Sequence, residues 1–544
     1  MTTYTFPESS TPVSAKPKTV YMVASGDLRE SANIEGWPVQ EQMEESVTGV
    51  FNELGWDVQR AHGVDHETGH GHISSQRMGM EVFKGIPKDA PLVVAIANWQ
   101  YSHHVLHGLR DHEGPILTVA NFDGGWPGLV GLLGLNGGLT KMGKDYSTVW
   151  SVDFTDDWYK DKIVEWLNTG HITHDESHVR ELPELPGLEE VELGWALGDQ
   201  MVHDKAIIGV FDEGCMGMYN AIIDDQLLNS VGVYKERLSQ SALYAEMLKV
   251  SEEDADGAYN WLIDHGMTFK YGEDPKTELT REQVQWQMKM YIAAMRIADD
   301  FGLDAVGIQY QQGLKDLVPA SDLAEGMLNS TERPPVFSRD GKRELHAGLA
   351  MPHFNEADEG AGLDSLITNR VWRAMGLVPD NTLHDVRWGE DYDGDFVWLY
   401  EISGAVPASH LGGWQNAEGW RQGHVFFPAG GATLNGISKP GELVLSRIFI
   451  QDGVLQADIF RGTAVELPAQ ESQRRKDATN PEWPIANVVL HGVSRDQFMG
   501  RHKANHVQMA YAPDAETADK ALAAKAAMME RMGIKVNLIG EVNL

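Results

Sequence analysis

Three short stretches in the last third of the chain carry acid and imidazole side chains in patterns that chemistry can use. They are His353-Phe354-Asn355-Glu356-Ala357-Asp358-Glu359, Leu383-His384-Asp385-Val386-Arg387, and His502-Lys503-Ala504-Asn505-His506. One Glu, one Asp and one His brought together would give two hard oxygen donors and one imidazole nitrogen. Such a mixed set suits Mn²⁺ or a similar divalent ion better than Zn²⁺. Around a divalent ion, two carboxylates and a His can serve metal-assisted hydrolysis. They can equally move a proton at a carbon next to a carbonyl, with a carboxylate carrying the proton and the ion polarising the oxygens. A structural use stays open as well, because ion-pair networks and helix caps also gather carboxylates. The sequence has no HExxH, GxSxG, P-loop or CxxC pattern, which lowers the weight of several hydrolase and transferase classes.

The chain that must position these groups has 544 residues and a formal net charge of -36. Its length predicts roughly three to four domains. The acidity argues against nucleic-acid partners and anionic membrane surfaces, since phosphates would be repelled. It reads as a solvated surface that keeps the protein soluble. The single cysteine, Cys215, permits no internal disulfide and reads as a small buried hydrophobe. Residues 1–18 are rich in Ser, Thr and Pro and lack the layout of a signal peptide. No apolar run approaches about 18 residues. A cytoplasmic protein with a flexible lead-in is the expectation.

Short apolar runs at 19–24, 91–97 and 115–120 alternate with helical spacing such as that of 38–54. This predicts a parallel sheet with helices on both faces. Ligands of such sheets lie outside the carboxyl ends of the strands, where Asp27 to Arg29 and Asn98-Trp99 fall. The glycine-rich stretch 124–138 holds no GxGxxG after a strand and reads as close helix packing. The histidines at 62, 66, 70 and 72, and at 103, 104 and 107, read as polar surface rather than metal ligands. A Pro-punctuated acidic segment, 181–186, marks a boundary. A second unit opens with the apolar run 206–211, which enters Asp212 to Met218. Helical spacing is expected over 234–248, 252–265 and 281–301. The run 304–308 then delivers Gln309, Gln311 and Gln312, whose amides can bond a hydroxyl or cap a helix. The last part reads as mainly β, with strands at 396–402, 424–427 and 442–450. A hairpin turn at Gln451-Asp452-Gly453 leads into 454–460, and a helix at 515–532 and a strand at 534–539 close the chain. The expected fold class is α/β. Its organisation is a flexible 1–18, a first α/β domain 19–185, a second α/β domain 186–350, and a β-rich domain 351–544 carrying the metal site.

Taken in order, Asn355-Glu356-Ala357-Asp358, Asp385-Val386-Arg387 and Ala504-Asn505-His506 resemble the three metal-ligand motifs of the L-fucose isomerase family. The resemblance extends from residue 19 to residue 511. Glu359 would lie nearer Asp385 in sequence, but Glu-Ala-Asp fits the first motif better. Supporting stretches are Asp322 to Ser330, Gly307-Ile308-Gln309, Asn98-Trp99, Cys215-Met216-Gly217 and Thr479 to Pro484, with Ser403-Gly404 and Arg29 as weaker matches. Where the family places a Tyr after a glycine run, this chain has Gly430-Gly431-Ala432-Thr433. The resemblance implies a metal-dependent aldose–ketose isomerase acting on a sugar like L-fucose or D-arabinose through a cis-enediol. It implies Glu356, Asp385 and His506 as ligands of Mn²⁺ (or Mg²⁺ or Co²⁺), with Glu356 and Asp385 also moving the proton. Trp99, Gln309, Met216, Trp483, Asn505, Ser403 and Arg29 would contact the sugar. Met216 would arrive from a neighbouring subunit of a homo-oligomer, a hexamer or trimer. The alternatives are other enediolate chemistry, by an epimerase or lyase, and a sugar-binding homologue without turnover.

Overall fold

The computed structural model describes residues 5–7, 13–185 and 187–544. Part of the expected lead-in (residues 1–4 and 8–12) and Pro186 of the expected boundary lie outside the described residues. The first unit holds five parallel strands: β1 (Thr19–Val23), β2 (Asp57–Arg60), β3 (Leu92–Ile96), β4 (Ile116–Asn121) and β5 (Ser147–Ser151). Their order is β2-β1-β3-β4-β5. All but the edge strand β2 are buried along their whole length, because helices cover both faces and leave no position for alternating polar residues. The strand order reverses between β1 and β3. In doubly wound sheets that reversal opens a crevice at the carboxyl ends.

The short strand β6 (Val179–Glu181) leads to the second unit. There β7 (Ala206–Phe211), β8 (Val233–Leu238) and β10 (Ala305–Ile308) form a parallel sheet in the order β10-β7-β8; β9 (Thr268–Phe269) stands apart. Residues 233–238 are strand where helical spacing was expected over 234–248. Pairing with β7 overrides that spacing, and the helix begins only at Gln240, after the Ser239 cap. The helix Arg281–Phe301 opens on a capping box of Thr280 and Gln283 and buries Met288, Met290 and Met295 as core.

The third unit contributes β11 (Asn381–Tyr392), β12 (Asp395–Glu401), β13 (Glu418–Gly419), β14 (Gly441–Gln451), β15 (Val454–Ala464), β16 (Ile485–Leu490), β17 (His506–Ala512) and β18 (Lys535–Ile539). The sheet runs β14-β17-β11-β12-β16-β15-β18-β6, and a further pairing of β14 with β15 closes six strands into a barrel. Closure leaves those six without a free edge. The β14–β15 hairpin turns at Asp452 and Gly453, both at positive φ, as a two-residue turn of matching twist requires. β6 covers the outer edge of β18, and the helix Glu189–Asp204 packs Val191 near Ala523 and Ala527 of the helix Ala515–Met532. Residues 179–204, where the sequence places a boundary, thus join the C-terminal sheet, because an uncovered edge would expose unpaired backbone groups.

Two further expectations change. Residues 424–427 form no strand; they lie in a loop whose Phe426 and Phe427 are buried. Their apolar run reflects burial against other units rather than a ladder. His62, His70 and His72 are buried, not surface, and burial holds His62 and His72 down to about 3, so both rings are neutral. Leu106, Leu132 and Leu139 of the first unit share one apolar cluster with Trp398, Leu443 and Val507 of the barrel, so the units pack as one body. Among the described residues, no helix is long and apolar enough to cross a membrane.

Candidate active site

A narrow cleft with a free volume of about 30 Å³ lies where the loops after β1, β3 and β7 meet the barrel. The α/β units line it with Arg29, Trp99, Pro127, Val130, Met216 and Gln311. The rest of the chain adds Glu356, Asp385, Ser403, Phe426, Phe427 and Trp483.

The barrel ladder does much of the positioning. Asp385 on β11 and His506 on β17 are direct partners in register, which puts both side chains on one face. Asp385 Oδ1 lies 3.2 Å from His506 Nε2, and Glu356 Oε2 lies 3.9 Å from the same nitrogen. Glu356 arrives on an irregular loop, with Glu356 at φ 56° and Ala357 at φ 54°. Two consecutive non-glycine residues in the left-handed region are costly and persist only where the surroundings hold them. A second such pair, Cys215 at φ 42° and Met216 at φ 50°, abuts the first. The Cys215 thiol donates to Ala357 O at 2.8 Å and fastens the two turns together. This is how Met216 of the same chain reaches the cleft wall, where the sequence expects it from a neighbouring subunit.

Behind His506 stands Asp358, a residue the sequence reading did not assign. Its Oδ2 lies 2.7 Å from His506 Nδ1, and Arg447 grips both its oxygens at 2.6 and 3.0 Å. Burial would raise the Asp358 carboxyl, but Arg447 and His506 hold it well below the usual carboxylate range. With Nδ1–H donated to Asp358, Nε2 faces Asp385 and Glu356, where it donates to Asp385 when protonated and offers a lone pair to a cation when not. Burial works against charging His506, yet the hydrogen bonds and charges of Asp358 and Asp385 outweigh it and push the imidazole up to about 10. Burial raises Glu356 to about 7, with Asp385 adding and His506 and Arg29 opposing. The cluster therefore attracts a cation, which can be a proton on His506 or a metal ion.

As they stand, no three His, Cys, Asp or Glu side chains among the described residues are close enough to hold a metal. Neighbouring donors of an ion bound at about 2.1 Å stand about 3 Å apart. Asp385 and His506 meet that spacing, and Glu356 needs a shift of under about 1 Å to meet it. The donors present, two carboxylates and an imidazole fixed through its other nitrogen by a carboxylate, fit a divalent cation in type. Glu359, the nearer alternative in sequence, turns away to Lys235 Nζ at 3.1 Å and the Ile223 amide at 2.6 Å.

The remaining expected contacts divide. Trp99, Met216, Trp483, Ser403 and Arg29 line the cleft. Ser403 donates to Glu356 Oε1 at 3.3 Å. Arg29 is held by Asp27 at 2.6 Å and donates to Gln311 Oε1 at 2.9 Å. Gln309 is not among the lining residues: its Oε1 accepts from Gln240 at 3.0 Å and from the Gln312 amide at 3.2 Å, and Gln311 holds the wall instead. A strand end two residues further on changes which amide faces the cleft, and composition alone does not choose between them. Asn505 lies behind the site, 3.0 Å from His506 Nε2 and from Met218 Sδ. Ala432, at the family's Tyr position, is fixed in the core by Gln287 and does not line the cleft. Phe426 and Phe427 were hidden in a run that read as strand.

Arg387 ties the units together at the cleft's edge. A bulge between Val386 and Trp388 interrupts the β11–β12 register beside it. Its guanidinium pairs with Glu401, with side-chain exposures of 1% and 0%, and donates to Gly124 O of the first unit at 2.7 Å and to Asn480 Oδ1 at 3.1 Å. Replacing Arg387 by Met leaves Glu401 buried without its partner. Chemical denaturation is expected to show a loss of about 3–5 kcal/mol. A loss below about 1 kcal/mol would mean that the pair is dispensable to the docking.

Titration should show the same buried charges. Burial raises Glu356 and Glu359 to about 7 and Asp322 to about 8. At these carboxyls the folded state holds more protons than the unfolded chain from about pH 4 upward. The stability these groups contribute is complete below their ordinary pKa values and is lost as pH rises through 7 and 8. Asp358 works in the opposite sense and loses its contribution only in acid. Buried histidines held down to about 3, His62, His72, His353 and His384 among them, work against this below about pH 6.5, so metal-free protein is expected to melt at a higher temperature at pH 6.5 than at pH 8.0; the reverse order would show these carboxyls to be ionised in the fold.

Residues 403–535 match the family model for the L-fucose isomerase, C-terminal domain. No curated protein matches the chain. Among solved structures, an ABC sugar transporter subunit from Rhodobacter sphaeroides 2.4.1 is 12% identical, with 67% of this chain and 94% of that chain covered, and a TM-score of 0.17. So slight a likeness bears on neither fold nor function. The matched segment includes Ser403, Phe426, Phe427 and Trp483 of the cleft and ends past His506.

Proposed function

We propose, from the L-fucose isomerase C-terminal domain that this chain carries at residues 403–535, that it is a sugar isomerase interconverting an aldose and its 2-ketose. The observation that carries the reading is the convergence of Glu356, Asp385 and His506 at one end of a cleft whose walls come partly from that domain. A divalent cation held by these three, Mn²⁺ or else Mg²⁺ or Co²⁺, would polarise the sugar's oxygens.

The chain's own groups do the rest. Trp99 and Trp483 offer flat apolar walls for the C–H faces of a sugar. Arg29 and Gln311 present a donor and an amide to its hydroxyls. Glu356 and Asp385 border the reacting end, where one can take the hydrogen from C2 as a proton and return it to C1. Ser403 holds Glu356 in place. The resemblance further implies a homo-oligomer, a trimer or hexamer.

The test is a turnover screen. Protein stripped of metal and reloaded with Mn²⁺ is offered a panel of aldoses that includes L-fucose and D-arabinose, and ketose is measured. Ketose formation that disappears with a chelator and returns with Mn²⁺ is the expected result. Metal binding without turnover on any sugar would move the reading to other enediolate chemistry or to a binding protein.

A further inference from the structure

Behind the cleft lies a smaller chamber with a free volume of about 10 Å³. It shares Gln311, Glu356, Ser403 and Phe427 with the cleft, and Tyr310, Ser321, Asp322 and Asn355 form its far side. Asp322 is 2% exposed overall and borders this space. Its Oδ2 accepts from Gln422 Nε2 at 2.7 Å, and Gln422 Oε1 in turn accepts from Trp483 Nε1 at 2.6 Å. The carboxyl is thus aligned by a wall of the cleft itself. Gly404, at φ 118°, makes room for it: a Cβ there would overlap the Asp322 carboxyl carbon. Tyr310 is no rival proton carrier, because its hydroxyl donates to Val318 O at 2.7 Å.

An aldose reacts at its terminus, where C1 and C2 carry the oxygens that change, and the remaining carbons form a tail. The flat faces of Trp99 and Trp483 in the cleft suit the C–H faces of that tail, whereas the chamber is lined mostly by polar groups. Glu356 borders both spaces, so a sugar with its reacting end at Glu356 turns its terminal oxygens toward the chamber. We propose that Asp322 is a further acid–base residue of the isomerase reaction, relaying the hydroxyl proton between O2 and O1.

This rests on the isomerase reading above and adds a role that reading leaves unfilled. In the aldose-to-ketose direction the O2–H bond breaks and an O1–H bond forms. Asp322 enters protonated, gives its proton to O1, takes the proton leaving O2, and ends as it began. The carbon-bound hydrogen moves separately, by way of Glu356 or Asp385, so C1 is reduced and C2 oxidised within one molecule. Burial, which brings the carboxyl up to about 8, keeps both of its forms within reach near neutral pH.

The experiment compares Mn²⁺-loaded wild type and Asp322→Asn on the best aldose of the panel, in D₂O. Asn keeps the acceptor that Gln422 needs but cannot relay a proton. Ketose formation is followed beside exchange of the C2 hydrogen for deuterium, read by NMR. The expected result is a fall of about 10²-fold in kcat, KM within about threefold, and C2 exchange nearly retained, so the ratio of exchange to isomerisation rises at least about tenfold. Wild-type kcat in the variant, or exchange and isomerisation falling in proportion, would overturn the relay while leaving the isomerase reading intact. Absence of wild-type turnover would overturn the isomerase reading, and the relay with it. Asp322→Ser, judged by the same ratio, stands in if the Asn variant does not fold.

Discussion

Glu356→Gln is expected to lower turnover by at least about 10³-fold without harming the fold. Gln has the same shape, and its carbonyl can still accept from Ser403, which donates to Glu356 Oε1 at 3.3 Å. It cannot take a proton from carbon, and it is a poorer cation ligand. The protein itself loses little, since Glu356 is a carboxyl that burial already raises to about 7. Its cationic neighbour His506, 3.9 Å away, keeps the carboxylates of Asp385 and Asp358 when the Glu356 charge is removed. The metal-free variant should therefore melt no lower than wild type, while kcat collapses. Turnover within about tenfold of wild type would remove Glu356 from the chemistry and leave Asp385 as the base.

Asp358→Asn should act through His506 without touching substrate. The carboxylate holds His506 Nδ1 at 2.7 Å and is itself held by two bonds from Arg447. An amide in its place can accept from only one side and lets the imidazole take the other tautomer. Affinity for Mn²⁺, measured by calorimetry, is expected to fall about 10- to 100-fold. The loss of charge also leaves Arg447, 1% exposed, without its anion. Denaturation should register about 3–5 kcal/mol. Unchanged Mn²⁺ affinity would mean that the ring is oriented by its ladder position alone.

The proposals differ in which part of the chain they question. Arg387→Met tests how the first unit is docked on the barrel, through Gly124 O. Asp322→Asn tests a group that burial alone would label structural. Asp358→Asn tests an orienting contact, and Glu356→Gln tests the chemistry. Glu356 and Asp358 share one turn and the Asp322 test rests on the isomerase reading, whereas Arg387→Met is read by stability alone and stands apart from them.

Much of the architecture is legible in the chain. Buried parallel strands announce themselves as unbroken apolar runs, since both faces are covered, and β1, β3, β4 and β7 fall where such runs occur. The β14–β15 hairpin follows from Asp452-Gly453, because that pair tolerates the positive φ of a two-residue turn. Residue type names the groups able to bind a hard cation or carry a proton, while the choice of Glu356, Asp385 and His506 among them rests on the motif resemblance. Local signals also name what is at the carboxyl ends of the strands, Arg29, Trp99 and Met216 among them.

Other features depend on partners distant in sequence. β8 is strand and not helix because β7 lies beside it. The run 424–427 is apolar because Phe426 and Phe427 wall a cleft, not because they sit in a ladder. The choice of Gln311 over Gln309 turns on where Gln240 lies. Asp358 and Arg447, 89 residues apart, become an orienting pair only when the loop before the helix Glu359–Ala374 is laid against the barrel. Sequence by itself determined which groups are chemically able to act and which segments must be buried, because ionisable side chains and apolar periodicity are properties of the residues themselves. Which of those groups meet and which stay neutral were decided by tertiary structure, because distance and burial are properties of the packing and set the strength of every charge inside it.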